Sequence, residues 1–295
     1  MIYVLRPDLW EHMAVKSQPS EQTTTLSSNS VLTRFVQRLN LKRVLAVYAF
    51  LVALYVYAPV LSLIAFSFNA GGLTFPFTGL TLDWYTKLAS NSAMLSSIVR
   101  SLKLALVVTV ITTVLATSTA LAYRYDFTGR GSLLFLLILG IITPGITYGI
   151  GAALFMTDVF GLSKSLWLAL PVHVVWALPF SVIVLLAGFP PTLADNEEAA
   201  RVMGASRITT FRKIIFPQIA PTVLGSAVFA FTLSYNEATR GLLLVGDATT
   251  MPIQVFSIVS STRVTPELLA LGSATTLFST LLLAVAGVAV FYGMR

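Results

Sequence analysis

Ionisable and amide side chains are rare within the long apolar stretches of this chain, so those that occur there are the first candidates for binding chemistry. Tyr235, Asn236 and Glu237 stand in a row near the end of one such stretch, and Arg240 follows. Ionisable residues in apolar segments commonly mark the path of a solute, and Glu237 could attract a cationic one. The alternative is a local ion pair between Glu237 and Arg240, which would leave neither charge for a ligand.

A second candidate site is aromatic. His173 and Trp176 lie three residues apart, which places them on one face of a helix. Pro171 and Pro179 flank them, and two prolines suggest a kinked or broken helix. A tryptophan face can bind an ammonium group through a cation–π interaction. Packing against a neighbouring helix is the alternative role for both side chains.

The chain lacks the residue sets that common catalytic and metal sites require. A nucleotide-binding P-loop has a glycine directly before its lysine, and no lysine here follows a glycine. The two histidines, His12 and His173, lie far apart and there is no cysteine, so neither a metal centre nor a disulfide is indicated. We predict no catalytic residues, no metal and no cofactor.

The composition indicates a membrane protein. Hydrophobic residues make up 56% and charged residues 11% of the 295, and the mean hydropathy is +0.83, whereas soluble domains average about 25% charged residues. At roughly 20 apolar residues per span, six transmembrane helices can be placed. They cover residues 44–68, 98–122, 132–156, 166–189, 218–239 and 268–291. The predicted fold class is therefore an all-α membrane protein.

Three segments depart from this simple pattern. The run Thr143-Pro144-Gly145 predicts a break within the third span. The segment between spans one and two is rich in glycine and contains Pro76, so it predicts a loop with little regular structure. Residues 242–264 have mixed polarity, which favours a loop or a re-entrant element over a seventh span.

Outside the spans, polarity and charge predict the domain organisation. Residues 1–40 are too polar and too rich in serine and threonine to bury a core, and we predict a largely disordered cytoplasmic tail. The first transmembrane helix then occupies 41–69, and residues 98–292 form the main transmembrane domain. Lysine and arginine collect before span one, between spans two and three, and between spans four and five. Cytoplasmic loops collect these residues, so both termini are predicted to be cytoplasmic, and we assign the net charge of +7 to topology and not to nucleic-acid binding.

The segment 192–217, between spans four and five, is charged and amphipathic. Thr192 and Asp195 have the spacing of a helix capping box. Glu197 and Arg201 are four residues apart, in the favourable order for an ion pair on one helix. Gly204 can take the left-handed conformation that ends a helix. The first half of the segment is therefore predicted to be a capped helix about 15 Å long.

A second short helix is predicted after this turn. Ser206 can cap it, and Pro217 suits the first turn of the span that follows. A helix lying among lipid headgroups would also be amphipathic, but it usually carries a basic face and large apolar residues. This segment instead begins with acidic residues and contains the small pair Ala199 and Ala200. These features favour contact with a protein partner.

The pattern Glu198-Ala199-Ala200-x-x-x-Gly204, then nine residues, then Ile214-x-Phe216-Pro217 resembles the EAA loop of permease subunits of bacterial binding-protein-dependent ABC importers. The spacing matches throughout, and the one departure is Phe216, where the family usually has leucine. The resemblance extends to the six-span layout and implies that segment 192–217 is a cytoplasmic coupling helix, which docks on a separate ATPase subunit. The coupling residues it implies are Glu198, Ala199, Ala200, Gly204, Ile214 and Pro217.

The same resemblance implies the partners and the location. They are a second permease subunit, two ATPase subunits that hydrolyse ATP, an extracytoplasmic solute-binding protein, and the lipid bilayer of a bacterial inner membrane. Two other classes of protein remain open at this point. A secondary transporter acting alone would be expected to show internal repeats and embedded ionisable residues. A non-transporting scaffold would use segment 192–217 only as an interaction site.

The C-terminal third is similar to the polyamine-importer branch of this family. The similar stretches are residues 234–237, 251–257 and 264–267. That branch commonly has two acidic residues where Asn236 and Glu237 stand, so this chain carries half of that acidic charge. The resemblance implies a polyamine-like solute, another amine or an amino acid, with a sugar, an opine or an organophosphorus compound as alternatives. The candidate path residues are His173, Trp176, Tyr235, Asn236 and Glu237.

Overall fold

The computed structural model describes residues 41–261 and 265–293, and the predicted N-terminal tail lies outside this part of the chain. Helices dominate it. In chain order they are α1 (Leu41–Ser67), α2 (Asp83–Ser90), α3 (Ser92–Ala122), α4 (Arg130–Ile142), α5 (Gly145–Leu154), α6 (Leu170–Gly188), α7 (Leu193–Val202), α8 (Arg207–Thr210), α9 (Phe216–Tyr235), α10 (Met251–Ser261) and α11 (Pro266–Gly293). Most of α1 belongs to a separate compact unit from the rest of the chain, whose own unit begins at Pro59.

Five of the described helical segments are long and apolar enough to cross a membrane. They contain α1, α3, α6, α9 and α11, and the pair α4 and α5 counts as a sixth, bent by 107° at its break. Each of the six falls on one of the predicted spans. The predicted all-α membrane fold with six spans is confirmed.

The bend in the third span lies at the run that predicted it. Thr143 ends α4 with φ −64° and ψ 124°, and Pro144 precedes the first residue of α5. Proline disfavours the helical conformation in the residue before it, so Thr143 becomes extended and the helix stops. Gly145 then starts α5 in a new direction. The predicted break is confirmed.

Helices α3, α6 and α9 pack on one another and form the centre of the bundle. Leu104, Leu185 and Ile219, one from each of these helices, are buried to 1% exposure or less. Small residues allow the close approach of α6 and α9, because a Cβ on Gly188 would lie 2.4 Å from the Thr222 side chain. Close helix contacts through small residues are the usual way that membrane helices associate.

The segment between α1 and α3 is more ordered than its composition predicts. Asn69 is fully buried, and its side-chain amide donates to the carbonyls of Gly72 and Thr74 at 2.8 and 3.0 Å. Its carbonyl accepts the Thr78 backbone N–H at 3.0 Å, and the Trp84 indole N–H donates to the Asn69 backbone oxygen at 2.9 Å. The loop prediction was wrong for the second half, where the amphipathic helix α2 forms. An eight-residue helix gives too short a pattern to stand out in the sequence.

Helix α10 lies within residues 242–264, the segment for which the sequence favoured a loop or a re-entrant element over a seventh span. It has 11 residues, which is a length of about 16 Å and about half of what a membrane requires. Helix α3 holds its start, because Ser101 accepts the Met251 N–H at 2.7 Å and Arg100 donates to the Thr249 carbonyl at 2.7 Å.

Candidate functional site

The segment between α6 and α9, residues 192–217, forms two short helices joined at a glycine, and we call it the coupling segment. Gly204 follows α7 with φ +79°, a conformation that side chains other than glycine rarely adopt. The Ser206 hydroxyl accepts the Thr209 N–H at 3.3 Å and so caps α8. A π-helical turn, Phe211–Ile215, carries the chain into α9, where Pro217 lies in the first turn. The predicted turn, cap and proline position are confirmed.

The predicted capping box at the start of α7 is wrong. Thr192 precedes the helix with φ −78° and ψ 0°, and its side chain makes no capping hydrogen bond. A capping residue needs an extended backbone so that its hydroxyl can reach the following N–H groups. Here the Pro190 carbonyl accepts the Leu193 N–H at 3.1 Å, so a tight turn leads into the helix instead. Asp195 remains in the first turn of α7, where a negative charge is favourable.

A buried carboxylate fixes α7 to the end of α3. The Glu197 side chain is 9% exposed; one oxygen lies 2.6 Å from Arg124 Nη2, and the other accepts a 2.8 Å hydrogen bond from the Tyr125 hydroxyl. Arg201, one turn later on α7, also pairs with Glu197, which confirms the predicted pair. Burial by itself would raise the Glu197 pKa, but the Tyr125 and Arg124 hydrogen bonds and the two arginine charges outweigh it and hold that pKa below its ordinary value. Glu197 therefore stays ionised and anchors the coupling segment.

The two faces of α7 differ. Ala200 is 2% exposed and lies on the buried face, with Leu193. Leu193 packs in a small core with Ile215 and Ile219. Glu198 and Ala199 are exposed. Of the two alanines, only Ala199 is open to a partner.

Large apolar side chains surround the glycine turn on the exposed face. Val202, Met203 and Ile208 are 82%, 79% and 73% exposed. Together with Glu198 and Ala199 they form what we call the coupling surface. None of these three apolar residues was among the coupling residues that the resemblance to the EAA loop implied. Their exposure is the signal that sequence alone could not provide.

The remaining two implied coupling residues lie at the base of the segment. Ile214 is half-buried in the π-helical turn, and its carbonyl accepts the Gln218 side-chain N–H at 2.7 Å. Pro217 is exposed at the start of α9. Both are placed where the coupling segment continues into the bundle.

Three of the five candidate path residues lie in one region, at the ends of α6 and α9 far from the coupling segment. The Arg240 guanidinium lies over the Trp176 ring, with its carbon 3.5 Å from the ring centroid. Its Nη1 lies 2.9 Å from Glu237 Oε2, and both side chains are buried to 10% exposure or less. The local Glu237–Arg240 pair, the alternative considered from the sequence, is present. We call Trp176, Glu237 and Arg240 the cation cluster.

His173 lies one turn before Trp176 on α6. Its Nδ1 is 2.9 Å from the Ser234 hydroxyl, which joins α6 to α9. Its Nε2 is buried and has no hydrogen-bond partner among the described residues. A Cβ on Gly241, the residue after Arg240, would lie 3.0 Å from that nitrogen. His173 is 1% exposed. Among the described residues, its Nε2 is a buried polar atom without a hydrogen-bond partner next to the cation cluster.

Tyr235 and Asn236 lie apart from this cluster. Tyr235 is buried and stacks on Phe231, with ring centroids 5.6 Å apart, and also contacts Phe278 of α11. Asn236 is exposed, and its amide donates to the Thr232 carbonyl at 2.9 Å. Their positions favour helix packing for the tyrosine and helix termination for the asparagine.

Six apolar helical spans, with a glycine-linked pair of short helices between the fourth and the fifth, are the architecture of a type I ABC importer permease. The chain belongs to the family described as "Binding-protein-dependent transport system inner membrane component", which residues 113–294 match. It is therefore a multi-pass membrane transport subunit of the inner membrane.

Curated relatives include permeases for different solutes. The chain is 31% identical to the spermidine/putrescine transport system permease protein PotC of Haemophilus influenzae over 77% of its own length and 88% of that protein. It is 29% identical to the putrescine transport system permease protein PotI of Escherichia coli, with 74% and 80% covered. The trehalose transport system permease protein SugB of Mycobacterium tuberculosis is also 29% identical, with 73% and 78% covered.

Solved structures agree on the fold. An amino acid ABC transporter crystallised with histidines matches with a TM-score of 0.52 at 17% identity, over 71% of this chain and 98% of that one. A bacterial alginate ABC transporter, in complex with an alginate-bound periplasmic protein, matches with a TM-score of 0.55 at 17% identity, over 85% and 93%.

Proposed function

We propose that this chain is the permease of an ATP-driven importer and forms the solute path together with a second permease, similar or identical. Two ATPase subunits bind the coupling surfaces on the cytoplasmic side. A solute-binding protein delivers solute on the opposite side. ATP hydrolysis belongs to the ATPase subunits, and both termini of this chain are cytoplasmic.

The coupling surface is the observation that carries this proposal. Val202, Met203 and Ile208 expose large apolar side chains on a charged segment. Contiguous exposed apolar side chains rimmed by polar residues mark protein interaction sites. Glu197 fixes the same segment to α3, so a partner that moves the coupling surface also moves the bundle. Rigid-body motion of packed helices is a common way for such a movement to spread.

For the solute we propose a small organic cation with amine groups. The similarity to PotC and PotI, whose names specify polyamines, supports this assignment. A neutral solute such as a sugar is the alternative, and two observations favour it. Arg240 already neutralises Glu237, and the trehalose permease has the same 29% identity to this chain as the putrescine permease.

A charge placed on the coupling surface tests the coupling role. Met203→Glu should reduce ATPase co-purification and solute uptake by about tenfold or more, because a contact that must bury an unpaired carboxylate loses at least about 1.4 kcal/mol. The matched control is Thr128→Glu, since Thr128 is also exposed but lies in the loop between α3 and α4, outside the coupling segment. Membrane insertion is checked for both variants.

Two results would overturn this proposal. One is wild-type uptake and ATPase retention by Met203→Glu. The other is uptake by liposomes that contain this chain alone, without an ATPase, which would establish a secondary transporter. The solute is tested separately, by measuring which amines or sugars bind the cognate solute-binding protein.

A further inference from the structure

The cation cluster has the two components by which proteins recognise an organic cation, and a side chain of the same protein fills it. Trp176 provides an aromatic face and Glu237 provides a carboxylate. The Arg240 guanidinium contacts both, at 3.5 Å from the ring centroid and 2.9 Å from the carboxylate oxygen. Ammonium and guanidinium ions bind tryptophan faces in the same way.

The Glu237 carboxylate is held in place without help from the guanidinium. Oε1 accepts the backbone N–H groups of Thr239 and Arg240, both at 2.9 Å, and the Thr239 hydroxyl at 2.8 Å. Oε2 accepts a hydrogen bond from Arg240 Nη1. The two oxygens therefore have separate roles, since Oε1 fixes the carboxylate and Oε2 faces the cation. If the guanidinium leaves, the acceptor remains oriented.

The surroundings also suit a ligand. Arg240 lies beyond the end of α9, in the non-helical segment before α10. Gly145 of α5 leaves the space that its guanidinium occupies, since a Cβ there would lie 3.1 Å from Arg240 Nη1. The buried Nε2 of His173, which has no partner among the described residues, lies beside Gly241. A buried polar atom without a partner is uncommon in a finished core and points to a ligand group or a water.

We propose that Trp176 and Glu237 form a subsite for one ammonium or guanidinium group of a solute, and that Arg240 is a tethered occupant which this group displaces. Displacement exchanges one cation for another at an unchanged carboxylate, so the buried Glu237 charge is never left unpaired. A neutral group cannot replace the Arg240 charge, so this subsite selects for cationic groups. The subsite rests on the proposed function only for the identity of the solute.

Chemical rescue in the purified full-length chain tests this subsite. Arg240→Ala removes the tethered cation and should lower the thermal unfolding temperature. Millimolar guanidinium chloride should then raise that temperature by a few degrees in the variant and leave the wild type unchanged, because a ligand stabilises only a protein with a vacant site. Urea, which has the same planar shape without the charge, should have no such effect, and sodium chloride controls for ionic strength.

Two further variants locate the effect. The double variant Arg240→Ala with Glu237→Gln should lose the guanidinium response, because the acceptor is no longer charged. Arg130→Ala is the matched control: Arg130 pairs with Asp126 at 2.7 Å and lies 5.5 Å from the Tyr123 ring centroid. Its partner Asp126 is 98% exposed. Removal of Arg130 therefore leaves a carboxylate in contact with water and not a buried one, and guanidinium is not expected to raise the unfolding temperature.

The outcomes are distinct. A guanidinium response that needs Glu237 and is not reproduced by urea supports the subsite. Equal responses to guanidinium and urea, or a folded Arg240→Ala chain that responds to neither, would overturn it and leave Arg240 with a purely structural role. If Arg240→Ala does not fold, Arg240→Gln, which keeps hydrogen-bonding capacity, is measured in the same way. The assay uses neither ATPase nor transport, so its failure is separable from that of the proposed function.

Discussion

Glu197→Gln is the substitution that most directly tests how the coupling segment is attached to the bundle. The Glu197 carboxylate is 9% exposed and receives donors from Arg124, Tyr125 and Arg201. Glutamine has nearly the same shape and keeps one acceptor, so the substitution removes the charge without opening a cavity. Any change in stability therefore measures the contribution of the charged Glu197 carboxylate and its ion pairs.

The size of the effect follows from the exposure of the partners. Removing one member of a fully buried ion pair costs about 3–5 kcal/mol, and a hydrogen bond to a charged group contributes about 1.5–3 kcal/mol. The Arg124 side chain is 15% exposed and that of Arg201 is 55% exposed, so water replaces part of what is lost. We expect a loss of about 2–3 kcal/mol, which corresponds to a fall of about 3–5 °C in the unfolding temperature of a chain of this size.

Two measurements check this expectation. Thermal unfolding of the purified chain gives the stability, and proteoliposomes of the assembled complex give the ratio of solute imported to ATP hydrolysed. The matched control is Glu198→Gln, since Glu198 is the adjacent exposed carboxylate on α7. It should leave the unfolding temperature unchanged. Equal stability of the two variants would refute the anchor, and an unchanged transport ratio in a destabilised Glu197→Gln complex would refute its role in coupling.

The anchor also predicts a pH window. The Glu197 pKa lies below its ordinary value of 4.5, so the anchor contributes stability above that value and loses it as the pH falls through the folded-state pKa. Burial, the hydrogen bond to Glu197 and the Glu197 charge raise the Tyr125 pKa above its ordinary 10.0. That contribution is present below pH 10 and is lost as the pH rises through the folded-state pKa. The stability difference between wild type and Glu197→Gln should therefore shrink at acidic pH.

Four further outcomes are expected from thermal unfolding and uptake. Asn69→Ala should lower stability by about 1–3 kcal/mol, because the backbone groups of Gly72, Thr74 and Thr78 lose one shared partner. Ser206→Ala should cost about 1 kcal/mol through loss of the α8 cap. Gly149→Ala should destabilise by about 1–3 kcal/mol, since its Cβ would lie 2.7 Å from the Arg240 carbonyl, whereas the control Gly151→Ala should not, as nothing lies within 4 Å. Gly204→Val should reduce uptake but not insertion, because its φ of +79° strains any Cβ.

The sequence could predict those parts of the fold that depend on local chemistry. The six apolar stretches follow from length and composition, and the bend in the third span follows from Pro144. The turn at Gly204 and the cap at Ser206 depend on residues within one helical turn of each other. In each case neighbouring residues decide the structure, so the pattern can be read directly.

The remaining parts depend on partners that are remote in the chain. Glu197 receives Arg124 from 73 residues away, and no local pattern indicates which arginine turns inward. The Arg240 side chain meets Trp176 only because α6 and α9 pack together. The capping box failed for a local reason, because Pro190 and Pro191 already fix the turn before α7. The exposed apolar side chains of the coupling surface look like core residues in the sequence.

Helix α9 joins the two regions in a single rod. It begins where the coupling segment ends and finishes two residues before Glu237, and its 20 residues make it about 30 Å long. A tilt of about 5° at its base therefore carries the far end through about 2.5 Å, which is comparable with a hydrogen-bond length. The helix would then act as a lever arm, so that a small displacement of the coupling segment becomes a displacement of ångström size beside Glu237 and Arg240.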